Sequence, residues 1–121
     1  MFIKSVNWID EESQEAEVVV SDNSFELLCF SHPFRNKLGE ELIEPIYCFD
    51  VSNVVLAFEQ IPYAKKNKNS YGYSIRGLFI NKDDKIVLIG NIKLCLEDGK
   101  IPSDISEGEY IEFDVSRLDV Y

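Results

Sequence analysis

Gly108-Glu109-Tyr110-Ile111-Glu112-Phe113-Asp114-Val115 alternates apolar and polar side chains without a break. Ile111, Phe113 and Val115 share one face, and Tyr110, Glu112 and Asp114 share the other. That is the period of two of a half-buried β-strand. The pattern extends backwards: from Tyr71 to Tyr121 apolar residues recur at every second position, punctuated by acidic turns and by Gly77 and Gly90. The chain therefore reads as all-β. The expected fold is a single small β-barrel over residues 1–121, partly open, of about seven or eight strands, with room for one short helix.

Earlier segments fit the same scheme. Phe2–Ile9 reads as a first strand, Glu15–Ser21 as a second, and Phe25–Ser31 as a third, apolar on both faces and hence central. His32-Pro33 stops that strand, because proline lacks the ladder donor. Phe34–Leu42 reads as a short helix or a loop. Ile43–Phe49 and Asn53–Glu59 read as two further strands, a helix over 51–60 being the alternative, and Ile61–Ser70 as a polar connection. Tyr71–Asn81 and Lys85–Glu97 then read as the two arms of a long hairpin. A change of phase between Ile75 and Leu78 predicts a bulge at Gly77, and Gly90 predicts a bend within the return arm. A second change of phase near Ser116-Arg117 moves the apolar face to Leu118 and Val120.

The stretch Asp104-Ile105-Ser106-Glu107-Gly108 leading into Tyr110–Val115 resembles the turn and strand of cold-shock and other OB-fold barrels. The resemblance covers about a dozen of the 121 residues and implies an OB-like architecture. The aromatic RNA-binding motifs of cold-shock domains are absent, so it speaks to architecture and not to function.

Composition bounds what such a barrel does. A chain of 121 residues is long enough to bury a core without disulfides or a structural metal. Its three cysteines sit in apolar surroundings and read as reduced packing residues. No apolar run is long enough to cross a bilayer, and the first residues are too polar for a secretory segment, so a cytoplasmic protein is expected. The net charge is −10, with 12 acidic and 3 basic residues before position 61 and 10 acidic and 9 basic after it. This acidity disfavours nucleic acid and anionic membranes and suits a basic protein partner, although it also serves solubility alone.

The inventory for chemistry is thin. His32 is the only histidine, and Cys29 three residues before it faces the other way on a strand, so no nucleophile–base pair forms locally. Cys29, His32, Cys48 and Cys95 lack the paired spacing of a zinc ribbon or finger. Glu112 and Asp114 share a strand face, but such a face normally meets water. No phosphate loop, dinucleotide fingerprint or calcium loop is present, and no cofactor or metal is expected.

The one cluster that stands out spans residues 62–76. Tyr63, Lys65, Lys66, Lys68, Tyr71, Tyr73 and Arg76 interleave positive charge with aromatic rings in an otherwise acidic chain. Charge for a backbone and rings for stacking are the ingredients of single-strand binding, and equally of an acidic protein contact. The plain alternative is a solvated loop ahead of an aromatic-rich strand. The expected function is a non-enzymatic, acidic binding module with a protein partner, inhibitor- or immunity-like, as a monomer or homodimer. The alternative is an oligonucleotide-binding domain using the Lys65–Lys68 loop.

Overall fold

A computed structural model describes all residues, Met1–Tyr121, and shows an all-β protein without a helix. The strands are β1 (Phe2–Asp10), β2 (Glu15–Ser21), β3 (Glu26–Ser31), β4 (Ile46–Leu56), β5 (Tyr63–Lys66), β6 (Tyr73–Asn81), β7 (Ile86–Ile89), β8 (Ile92–Cys95) and β9 (Tyr110–Val120). They form one sheet in the order β1-β2-β3-β9-β4-β8-β7-β6-β5, and a β6–β9 ladder closes part of it on itself. The closed part is a barrel of five strands, β9-β4-β8-β7-β6. β4 and β8 run parallel, and the other four contacts are antiparallel.

The strand that decides the fold in the sequence is also the hub of the structure. β9 pairs along its length with β4, through its first half with β6, and at Asp119 and Val120 with β3. It binds the β1-β2-β3 meander to the barrel. Its change of face is real: Ile111, Phe113 and Val115 are buried, Ser116 is exposed, and Leu118 and Val120 are buried. β4 steps with it, placing Asp50 (φ 58°) and Asn53 (φ 56°) in the left-handed region, where Asp and Asn are the better tolerated side chains. The buried apolar residues form one continuous cluster that takes in meander and barrel alike. Each large side chain fully buried there, such as Phe79, Phe113 or Leu94, stabilises by about 1.5–3 kcal/mol relative to exposure.

The all-β barrel expected from the sequence is present, closed rather than partly open and with nine strands in place of seven or eight, and residues 34–42 take the loop of the two readings, helix or loop. Other expectations are corrected. The two strands expected over 43–59 are one, β4, whose bends at Asp50 and Asn53 break the alternation. The polar connection of 61–70 contains β5. The return arm 85–97 is itself a hairpin: Ile89 pairs with Ile92 around Gly90-Asn91, with Gly90 at φ 59°. Gly77 carries no bulge, since the β6–β9 register runs unbroken from Tyr73 to Leu78. Leu78 and Ile80 lie on the outer face instead, and the irregularity falls between Phe79 and Asn81. Gly77 has a different role: a Cβ there would meet Val87 Cγ1 at 2.6 Å and the Leu88 carbonyl oxygen at 2.7 Å. The missing side chain lets β6 and β7 close the barrel corner.

Asp22 holds the β7–β8 hairpin against the meander. Its Oδ2 accepts the Asn91 N–H at 2.8 Å, and its Oδ1 accepts those of Phe25 at 2.7 Å and Ser24 at 2.9 Å. Burial works against this carboxylate, but the backbone donors outweigh it and hold its pKa below the ordinary value.

Candidate functional site

The residues singled out in the 62–76 cluster do not form one site. Tyr73 points into the core, and its hydroxyl accepts the Leu28 N–H at 2.9 Å. It joins β6 to β3 and is removed from the candidates: on an alternating strand it falls in the inward phase with Ile75. The Tyr71 hydroxyl donates to Glu17 at 2.6 Å, and that bond, with partial burial, raises its pKa. Arg76 is the best-held cation of the group. It lies 5.4 Å from the Tyr63 ring centroid, 3.3 Å from Glu112 and 3.6 Å from Glu59, and donates to the Ile61 carbonyl. Lys65 and Lys68 are exposed and make no ion pair, and Lys66 turns back to the Ser70 carbonyl at 2.6 Å.

The outer sheet face is laid out by register. Tyr63, Arg76, Glu112 and Val55 form one row across β5-β6-β9-β4, and Lys65, Ser74, Asp114 and Ser52 the next. Asp114 is tied into this face: Ser74 donates to one oxygen and Asn53 to the other, each at 2.9 Å. Just before this cluster the β4–β5 connection exposes large apolar side chains. Phe58 is fully exposed and Ile61 61% exposed, with Val55 and Leu56 half out at the end of β4. Sequence reading missed these because apolar residues in alternation look like core.

A second locus lies at the other end of β4. Tyr47, Phe49, Asp50, Glu97, Asp98 and Tyr121 line a cleft of about 310 Å³ beside β9. Phe49 is 55% and Tyr121 75% exposed, and the Tyr47 and Tyr121 rings meet edge to face at 5.2 Å. Beside it Arg117 lies between the rings of Phe30 and Phe49, 4.9 Å from each centroid. It donates to both oxygens of Asp119, at 2.6 and 3.1 Å. That bond raises the Arg117 pKa above its already high value, so its charge is permanent. Partial burial, then Cys95, Glu44 and Glu97, push the pKa of the Tyr47 hydroxyl up as well. The side chains of Glu97 and Asp98 have no cation partner. No short sequence motif signals this cleft, because its parts come from residues 47–51, 97–99 and 119–121.

Two of the cysteines, Cys29 and Cys48, lie in the core, away from solvent. Cys29 is buried and its thiol pKa pushed up, first by burial and then by Asp119, whereas His32 is exposed. Cys48 is raised for the same leading reason. No group of three or more His, Cys, Asp or Glu side chains is arranged to hold a metal ion. No helix is long and apolar enough to cross a membrane. Comparison with protein-family models, with curated proteins and with solved structures found no match for this chain.

Proposed function

We propose that this chain is a non-catalytic interaction module that captures a basic segment of a protein partner in the cleft beside β4 and β9. The observation that carries this reading is the lining of that cleft. Exposed rings of Phe49 and Tyr121 stand next to the carboxylates of Asp50, Glu97 and Asp98, none of which has a cation partner. A cation gains from both at once: the ring faces attract it through their quadrupole, by about 0.5–2 kcal/mol each, and the carboxylates by Coulomb attraction. The adjacent Arg117, clasped by two rings and Asp119, is an internal example of the same recognition. The net charge of −10 adds long-range steering of a basic partner. Inhibitor- and immunity-type proteins that neutralise basic partners are the class analogy.

The finer architecture belongs to the same reading. A β6-β7-β8 meander, a parallel β8–β4 contact and a return through β9 support reading the barrel as OB-like with one terminal strand moved to the front. Barrels of that kind bind ligands on their faces and loops. The alternative, oligonucleotide binding through the Lys65–Lys68 loop, draws on lysines without ion-pair partners. It loses Tyr73 to the core and Arg76 to Glu59 and Glu112.

Fluorescence anisotropy with an arginine-rich peptide tests the cleft. Binding weakened about tenfold by Glu97→Gln with Asp98→Asn, and unchanged by Glu11→Gln with Glu12→Gln, supports it. Equal losses from both pairs would mean attraction by net charge alone and would end the proposal. A single-stranded oligonucleotide run in parallel, binding the native chain and not Lys65→Glu, would favour the alternative.

A further inference from the structure

We infer that the free edge of β5, together with the apolar tip before it, is a second docking surface that takes an extended, acidic segment of a protein partner as an added strand. It is separate from the cleft and stands or falls without it.

Three observations carry the inference. First, β5 ends the sheet and pairs only with β6. The Asn67 N–H donates to the Gly72 carbonyl at 2.8 Å, and residues alternate in an antiparallel ladder. Lys65 and Tyr63 therefore turn their main-chain groups to β6, and Ala64 and Lys66 turn theirs outward, unpaired. An extended segment can satisfy them, as in strand addition to an open sheet edge. Second, the approach to this edge is apolar. Phe58, Ile61 and Tyr63 are exposed within six residues, and Arg76 fixes their connection to the sheet through Glu59 and the Ile61 carbonyl. Large exposed apolar patches on soluble proteins mark contact sites.

Third, charge selects the occupant. Lys65 and Lys68 are exposed without an ion pair, and Lys66 finds only backbone carbonyls. Lysine on an edge strand opposes indiscriminate pairing. It also opposes a second copy of β5, because two such edges would set lysine against lysine. A strand carrying carboxylates at alternate positions meets the opposite situation. The edge thus rejects its own kind and admits an acidic, apolar strand.

The test uses the full chain and an eight-residue peptide alternating valine with glutamate, beside its lysine-for-glutamate counterpart. The acidic peptide should bind at low salt at least tenfold more tightly than the basic one, and should protect the Ala64 and Lys66 amides from hydrogen exchange. Lys65→Glu with Lys68→Glu should weaken it at least fivefold. Ala64→Pro removes an outward donor at a position where an edge strand tolerates proline, and should abolish binding. Should that variant fail to fold, the double lysine variant and the exchange pattern decide. No binding, binding indifferent to the lysine variant, or binding without protection at Ala64 and Lys66 would overturn the proposal. So would a peptide-free dimer that already protects those two amides.

Discussion

The two ends of the β4–β9 ladder use the same residue types to opposite effect. At the Phe49 end, Arg117 is bound by Asp119 and clasped by Phe30 and Phe49, beside a cleft of unpaired carboxylates. At the Phe58 end, Arg76 lies over Tyr63 between Glu59 and Glu112, beside a strand of unpaired lysines. In each case an arginine neutralises local acid and fixes an aromatic ring, while the charge left over differs in sign. What separates them is burial of the anion. The Asp119 side chain is 7% exposed, against 65% and 42% for Glu59 and Glu112. The first pair is part of the core boundary, and the second organises a surface.

The largest blow to both ends should come from the strand between them. Phe113→Ala removes a fully buried ring from the face of β9 shared by β4 and β6. It should cost about 3–5 kcal/mol by chemical denaturation. Next, Arg117→Ala strands the buried Asp119 charge. A loss of about 2–3 kcal/mol is expected, below the 3–5 typical of a fully buried pair because Arg117 itself is 37% exposed. Arg76→Ala should cost about 1 kcal/mol or less, since solvent screens both of its carboxylates. Equal losses for the two arginines would mean that burial of the anion does not separate the two pairs. Arg76→Ala should nevertheless speed hydrogen exchange over residues 57–62, which Arg117→Ala leaves alone.

Acid sharpens the contrast with the smallest effect. The folded-state pKa of Asp22 lies below its ordinary value of 3.8. Its contribution is therefore fully present above that value and is lost as pH falls through the folded value. Asp22→Asn should flatten the loss of stability below about pH 4, read from denaturation midpoints against pH.

Much of the fold was legible, for physical reasons. β2 and β9 each have one buried face, so their alternation reports the structure directly, including the change of face at Ser116. The β7–β8 hairpin was legible too and was missed. Gly90-Asn91 is a two-residue turn signal, but both flanking runs keep one apolar phase and read as one continuous strand. β4 failed the other way: residues at positive φ shift the phase inside a strand, and no local pattern distinguishes that from a loop. Of the candidate site, the Tyr63–Arg76 pair and the free lysines could be found from their clustering. Tyr73 looked the same in sequence and was claimed by the core. The cleft had no local signature, because Phe49, Asp98 and Tyr121 meet only once the chain has folded.

The position of β9 also sets the order in which this chain can fold. Its partners come from residues 30–31, 47–56 and 73–78, so the ladder that joins the meander to the barrel and the two that close the barrel through β4 and β6 wait for residues 110–120. The Phe30–Asp119 contact alone closes a loop of most of the chain. Until β9 arrives from the ribosome, β4 and β6 present unpaired edges and uncovered apolar faces. High contact order of this kind slows folding and prolongs the exposure of aggregation-prone surface. Such a chain should fold only after synthesis has passed Val120, and in a nascent-chain series the protected state should emerge in a single late step.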